Sequence, residues 1–190
     1  MEIVNGERLV LGTCYYPEHW DESLWRDDLR RMLENGIEVI RIAEFAWSKI
    51  ERYEGVFNYD FFDRFLDAAA EMGMKVIFCT PTATPPAWLT EKYPEVLNAT
   101  MDGVLYRHGG RRHYNYNSPK YQELTRIIVE KSASHYAKHP AIIGWQIDNE
   151  INCEKNEFYS ESDTIAFRKF LMEKYGSIDA LNDAWGTNFW

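Results

Sequence analysis

Acidic and amide side chains directly follow an apolar run late in the sequence. The run 142–147 reads Ile-Ile-Gly-Trp-Gln-Ile and leads into Asp148, Asn149 and Glu150. Because an unpaired buried charge is costly, such a group at the mouth of an apolar strand indicates a site. Glycoside hydrolysis needs one carboxylic acid to protonate the leaving oxygen and a second carboxylate. We predict that Glu150 is this acid and that Asn149 binds a sugar hydroxyl; the structural alternative for Glu150 is a salt-bridged rim residue.

Apolar runs alternate with helical patterns along the rest of the chain. The patterns predict strands over 9–16, 37–43, 75–80 and 142–147, and helices over 21–35, 59–72, about 118–138, 163–174 and 178–185. The segment 81–117 is predicted to be a long loop, and such loops usually carry function. Strict alternation of near-continuous apolar strands with helices indicates a parallel sheet covered by helices.

The polar residues at the predicted strand ends distinguish a (β/α)8 barrel from a doubly wound parallel sheet, the other fold with this alternation. Tyr15, Tyr16, Glu18 and His19 follow the first strand, Glu44 follows the second, and Glu150 follows the fourth. No GxGxxG motif follows the first strand, which argues against a dinucleotide-binding sheet. In a (β/α)8 TIM barrel the rim formed by the carboxyl ends of the strands is the active site. A complete barrel typically has about 250 residues. We therefore predict that residues 1–190 form one domain, the N-terminal half of such a barrel with its first four strand-helix units.

Composition excludes several other classes. A formal net charge of -9 argues against nucleic acid and against an anionic membrane surface as partners. No apolar run has the length of a membrane span, and the first residues lack the pattern of an export signal. The three cysteines, Cys14, Cys79 and Cys153, suggest neither a disulfide framework nor a metal cluster. We expect a cytoplasmic protein in which Cys14 and Cys79 are small buried hydrophobes.

Five ordered segments resemble glycoside hydrolase family 42, the β-galactosidase family. They are Gly12–Trp20, Arg41–Trp47, Thr80–Leu89, Gly109–Tyr114 and Ala184–Trp190. The resemblance runs from the first strand to the end of the sequence. It implies a retaining β-galactosidase that hydrolyses terminal non-reducing β-D-galactosides, uses no cofactor and forms a homo-oligomer, specifically a trimer.

The resemblance also implies roles for individual residues. Glu150 matches the general acid/base, Asn149 the adjacent substrate amide, Arg111 an arginine that reaches the galactose ring, and Trp190 an aromatic wall. A guanidinium donates to two vicinal hydroxyls, and an indole face stacks on a sugar. Without the family, a loop ion pair for Arg111 and core packing for Trp190 are the better readings. Glu44 either contacts substrate or orients Arg111.

The resemblance places the nucleophile outside these residues, at the end of a seventh strand. We therefore expect the chain as given to carry the acid/base and to be inactive alone. Two alternatives stay open: another retaining barrel β-glycosidase, of the β-glucanase, xylanase or mannanase type, and a non-catalytic carbohydrate-binding or assembly fragment.

The sequence predicts no metal site. Some family members resemble zinc proteins through a cysteine after the Arg-Arg-His-Tyr motif, but Asn115 stands at that position here. Beyond Glu150 the sequence offers only Cys153, and structural zinc needs four nitrogen or sulfur ligands. His19 and His113 are expected to be neutral residues that hydrogen-bond or stack.

Overall fold

The structure is a computed structural model that describes residues 3–4, 7–151 and 153–187. Its strands are β1 (Ile3–Val4), β2 (Glu7–Arg8), β3 (Leu11–Cys14), β4 (Ile37–Ile42), β5 (Glu51–Tyr53), β6 (Val56–Phe57), β7 (Lys75–Cys79) and β8 (Ile142–Gln146). Its α-helices are α1 (Trp25–Glu34), α2 (Trp47–Ile50), α3 (Asp60–Met72), α4 (Ala87–Lys92), α5 (Pro119–Tyr136), α6 (Glu161–Tyr175) and α7 (Ile178–Trp185). Short 3-10 helices cover Pro17–His19, Glu22–Leu24, Pro81–Ala83 and Pro94–Val96.

The predicted strands form one four-stranded sheet in the order β3-β4-β7-β8. Every neighbouring pair is parallel; for example, Thr13 aligns with Ile40, and Ile40 with Val76. The parallel order confirms the strand-helix units that the apolar runs predict. Since the carboxyl ends of parallel strands lie at one edge of the sheet, residues that follow β3, β4, β7 and β8 share that edge.

Two compact units divide the chain. The first comprises Met1–Trp88 and Thr125–Ile151, and contains the whole parallel sheet; the second comprises Leu89–Leu124 and Asn152–Trp190. The single domain predicted for residues 1–190 stays a prediction. Among the described residues, no helix combines the length and apolar character that a membrane crossing requires.

The core of the first unit lies on the two central strands. Ile40 and Ile42 of β4, and Val76 and Phe78 of β7, are fully buried. Helix α3 packs against β7 with an apolar face: Phe62, Phe65, Leu66 and Ala69 are all 0% exposed, and the ring centroids of Phe62 and Phe78 are 5.6 Å apart. The apolar residues in 59–72, spaced with the helical period of 3.6, therefore form the buried face of α3 that this spacing predicts.

The edge strand β3 differs from its prediction. We expected a buried strand over 9–16, but β3 covers only Leu11–Cys14 and all its residues are exposed. The reason is that β3 is an edge strand, with a hydrogen-bonded neighbour, β4, on one side only. The prediction of a buried thiol is consequently wrong for Cys14 and is confirmed for Cys79.

Local signals begin and end the helices. Helix α3 ends at Gly73, whose φ of 81° is in the left-handed region that glycine tolerates best. Helix α6 begins with a capping box: the Ser160 hydroxyl accepts from the Asp163 amide, and the Asp163 carboxylate accepts from the Ser160 amide.

The segment between β4 and α3, for which no strand or helix is predicted, contains α2 and the β5-β6 hairpin. The buried carboxylate of Glu51 holds it together, accepting from Trp47 Nε1 at 2.7 Å and from the Gly55 amide at 2.8 Å. Burial raises the pKa of Glu51. Strands of two and three residues have no detectable periodicity, which is why sequence reasoning missed them.

Candidate active site

The turn that follows β8 carries the predicted acid. Asp148 and Glu150 have φ values of 53° and 46°, in the left-handed region that non-glycine residues seldom adopt. Asp148 accepts at Oδ2 from the Thr82 hydroxyl at 2.9 Å, and its amide donates to the Thr80 hydroxyl at 2.8 Å. Such backbone conformations persist only where the surroundings fix them, and they cluster at functional sites. The end of β7 thus holds the turn of β8 in an unusual conformation.

Asn149 and Glu150 are adjacent but differ in burial. Asn149 is 8% exposed, and its amide nitrogen Nδ2 lies 3.4 Å from Glu150 Oε2, to which it donates. The Glu150 side chain is exposed. The described residues of the first unit therefore do not enclose the Glu150 side chain in an apolar pocket.

Glu44 lies at the end of β4 and is 0% exposed. Its Oε1 accepts hydrogen bonds from the Tyr16 hydroxyl and from Arg41 Nη2, both at 2.8 Å. Burial and the hydrogen bond to Glu44 raise the pKa of Tyr16 to about 12. Neighbouring Ala43 has a φ of 76°, so the strand-end conformation is left-handed here as well. In the first unit Glu44 is held by Tyr16 and Arg41.

A hydrogen-bonded path, not recognised from the sequence, links Glu44 to the β8 turn. Arg41 Nη1 donates to Gln146 Oε1 at 2.7 Å. Gln146 Nε2 donates in turn to Asn149 Oδ1 at 3.2 Å and to the Asp148 carbonyl at 2.8 Å. Three predicted site residues, Glu44, Asn149 and Glu150, thereby belong to one hydrogen-bonded assembly. The available signal was Gln146, a polar side chain inside an apolar run.

Arg111 belongs to the second unit and lies in the loop that begins at Gly109. Its Nη1 is 3.5 Å from Glu154 Oε1, and both side chains are about half exposed, at 42% and 50%. Exposed ion pairs at such distances contribute about 0 to 1 kcal/mol. This contact is a loop ion pair, the alternative role expected for Arg111 without the family resemblance.

The next residue, Arg112, anchors the loop. It is 2% exposed with a φ of 58°, and its Nη1 donates to the hydroxyls of Tyr114 and Tyr116. His113 donates from Nδ1 to the Gly110 carbonyl at 2.5 Å, and burial lowers its pKa. A neutral, hydrogen-bonded His113 agrees with its predicted role. The buried Arg112 was missed, because an Arg-Arg pair does not show which guanidinium is buried.

The remaining candidates carry less structural information. Trp190 lies outside the described residues. Within residues 3–4, 7–151 and 153–187, no group of three or more His, Cys, Asp or Glu side chains is arranged to hold a metal ion. Asn115 is fully buried and donates from Nδ2 to the hydroxyls of Ser160 and Ser162. The absence of a zinc site stays a prediction.

Comparison with known proteins adds independent evidence. The family model for glycoside hydrolase family 42, described as beta-galactosidase, matches residues 14–190. A beta-galactosidase from a Thermus species is 46% identical over 182 residues, which are 95% of this chain and 28% of that protein. One from Halorubrum lacusprofundi is 42% identical over 95% of the chain and 26% of that protein. The chain thus spans roughly a quarter of the length of these relatives.

Solved structures of similar proteins agree with the sheet. The crystal structure of a beta-galactosidase from the psychrophilic Marinomonas ef1 superposes with a TM-score of 0.91 at 45% identity, covering 96% of this chain and 28% of that one. The catalytic domain of a beta-amylase from Paenibacillus polymyxa, at 19% identity and a TM-score of 0.65, shares the fold alone. The parallel sheet represents the first strand-helix units of a TIM barrel. On the family match and these relatives, the chain belongs to glycoside hydrolase family 42.

Proposed function

We propose that the protein containing this chain is a retaining β-galactosidase, which hydrolyses terminal non-reducing β-D-galactosides. The observation that carries the proposal is the fixed Asp148–Glu150 turn at the carboxyl end of β8, in a chain of this family. The relatives that match it are named beta-galactosidases. A carboxyl group at the rim of a parallel barrel is where the chemistry of this fold takes place.

Glu150 acts first as an acid and then as a base. As an acid it gives its proton to the glycosidic oxygen while a second carboxylate attacks the anomeric carbon and forms the glycosyl-enzyme. As a base it then takes a proton from the water that releases galactose. The two carboxyl groups of such enzymes lie about 5 to 5.5 Å apart. By family resemblance, the nucleophile is proposed to be a Glu at the end of the seventh strand of the complete barrel, which is not the strand labelled β7 here.

The other candidates bind and orient the sugar. Asn149 donates to a hydroxyl next to the reacting carbon, Arg111 reaches hydroxyls of the galactose ring, and Trp190 stacks on its face. Glu44 is proposed to act indirectly, by fixing the position of Arg41, because its carboxylate is buried and accepts a hydrogen bond from that guanidinium. None of these roles requires a metal or another cofactor.

We further propose a cytoplasmic homo-oligomer, a trimer by family resemblance. The cellular location is supported by three free cysteines, which a reducing compartment preserves. Light scattering on the purified protein measures the oligomeric state, and a monomer would contradict the proposal.

A comparison of aryl glycosides tests the proposed activity. The purified protein is assayed with the 4-nitrophenyl β-galactoside, β-glucoside, β-xyloside and β-mannoside, beside its Glu150→Gln variant. We expect the β-galactoside to have the highest kcat/KM, and we expect the variant to have a lower kcat because it lacks the base of the second step. A higher kcat/KM for another glycoside would indicate a different barrel glycosidase, and galactose binding without turnover would indicate a binding module.

A further inference from the structure

We propose that Gln146 is a positioning residue: it fixes which end of the Asn149 amide faces the Glu150 carboxyl group. The catalytic effect of this residue rests on the proposed function. The orientation of the amide follows from hydrogen bonds and does not depend on that function. An amide side chain fits into the same space in two orientations, and only hydrogen-bond partners decide between them. The orientation at Asn149 therefore has a structural cause that can be traced.

The cause begins at Arg41, which donates hydrogen bonds and accepts none. Its Nη1 lies 2.7 Å from the Gln146 side chain, so the Gln146 atom on that side must be the acceptor Oε1. Arg41 is itself fixed, because Nη2 donates to Glu44 Oε1 at 2.8 Å. The tight contact with a donor-only group sets the Gln146 amide in one orientation.

The orientation of the Gln146 amide then determines the orientation of the Asn149 amide. With Oε1 toward Arg41, Gln146 directs Nε2 at two acceptors, the Asp148 carbonyl at 2.8 Å and Asn149 Oδ1 at 3.2 Å. A reversed Asn149 would set its own NH2 group against that of Gln146. Asn149 is 8% exposed, so water has little access to relieve such a donor-donor contact. Its Nδ2 consequently faces Glu150 Oε2, at 3.4 Å.

This orientation matters for the two tasks of Glu150. With its NH2 group toward Glu150 Oε2, Asn149 donates to that carboxyl group and offers the acid proton no acceptor. The proton of the acid is then directed to the leaving oxygen, and the carboxylate is ready to act as base in the second step. Other titratable groups on the same rim include Cys14 at the end of β3, Tyr16, Glu18 and His19 after β3, Arg41 on β4, Glu44 after β4, Cys79 at the end of β7, and Asp148 in the turn.

A double-mutant cycle separates this role from a merely structural one. Gln146→Met, Asn149→Ala and the double variant are made in the protein that contains this chain, with Gln122→Met as the matched control. Gln122 also donates from Nε2 to a carbonyl, that of Tyr116, but lies exposed on α5. We expect Gln146→Met to lower kcat/KM about tenfold when Asn149 is present, and to change it less than about twofold in the Asn149→Ala background. Equal losses in both backgrounds would overturn the proposal.

An activity-independent arm reads the amide directly. Crystals of the parent and of Gln146→Glu are compared at better than about 1.2 Å, where hydrogens become visible. The new carboxylate still accepts from Arg41 but cannot donate, so Asn149 is expected to turn and present Nδ2 to it. The same Asn149 orientation in both proteins would refute the proposal. Absence of galactoside turnover by the parent would refute the proposed function alone, since the crystals still decide the orientation.

Discussion

The β8 turn, which carries Asn149 and Glu150, and the loop that carries Arg111 hold their predicted functional residues in different ways. The turn is held from several sides: Thr80 and Thr82 at the end of β7 bond Asp148, and Gln146 bonds Asn149. In the loop the buried anchor is Arg112, whereas Arg111 is half exposed and pairs with Glu154 at 3.5 Å. The structure therefore fixes the backbone under the acid more tightly than the side chain of the arginine.

The difference follows from the two kinds of chemistry. Proton transfer requires a carboxyl group within hydrogen-bond reach of one substrate atom, and small displacements are costly. A guanidinium that binds hydroxyls tolerates adjustment, because it has several donors. We therefore expect changes in the turn to lower kcat, and changes in the loop to raise KM.

The largest effect is expected for Glu150→Gln. Without a proton donor the departure of a sugar alcohol is slow, and general acid catalysis contributes about 10²- to 10⁴-fold. Lactose hydrolysis by the variant, followed by release of glucose, should fall by that factor. Glu154→Gln is the matched control on the loop side, and it should retain lactose turnover within about twofold. Equal losses in both variants would refute a special role of the turn.

Thr82→Val sharpens the claim that the turn is fixed from β7. The variant keeps the side-chain shape but removes the hydroxyl that donates to Asp148 Oδ2, and losing one hydrogen bond to a buried carboxyl group costs about 1 to 3 kcal/mol. We expect kcat to fall about tenfold with KM little changed. Thr84→Val is the control, because the buried Thr84 hydroxyl has no hydrogen-bond partner among the described residues. A loss of kcat in Thr84→Val as large as in Thr82→Val would contradict the account.

Arg111→Ala tests the loop side of the comparison. Loss of hydrogen bonds to substrate hydroxyls should raise KM for aryl β-galactosides about tenfold, with kcat changed less than about threefold. Steady-state kinetics over a range of substrate concentrations separate the two parameters. A fall in kcat with KM unchanged would place Arg111 in the chemical step and would break the proposed division.

The smallest effect concerns Glu18, on the same rim but outside the hydrogen-bonded assembly. Burial raises its pKa, and its Oε2 is buried without a hydrogen-bond partner among the described residues. A carboxyl group whose pKa is higher in the folded state stabilises the fold at low pH and less as the pH rises through that pKa. Glu18→Gln should therefore raise the Tm by about 1 to 3 °C at pH 7 and leave it unchanged near pH 4. A Tm difference that is independent of pH would contradict this.

The apolar runs predicted the main strands of the parallel sheet, because the central strands are buried and buried strands need apolar residues. The run 75–80 became β7, Lys75–Cys79, and 37–43 became β4, Ile37–Ile42. The exposed β3 escaped this reasoning, since its residues are apolar but lie at an edge. An apolar pattern reports what a strand is able to bury and does not report its place in the sheet.

The site was predictable in part for a similar reason. Glu44 and Glu150 were identified because polar groups at the ends of apolar strands need an explanation, and motif resemblance supplied Arg111. The left-handed backbone at Glu150 was not predictable, because Glu seldom adopts it, and Asp148 gives only a weak signal, because Asp adopts it more often than most residues but usually lies elsewhere. The role of Gln146 depends on a bond to Arg41 across 105 positions of sequence, which only the sheet register creates.

The most direct test of Glu150 as the acid is the dependence of its Gln variant on the leaving group. The kcat/KM ratio of 2,4-dinitrophenyl β-galactoside to lactose is measured for the parent and for Glu150→Gln. An activated phenol leaves without a proton, so we predict that the variant keeps much of its activity on the dinitrophenyl substrate. The ratio should then rise at least about 10²-fold. An equal loss on both substrates would show that Glu150 does not donate the proton.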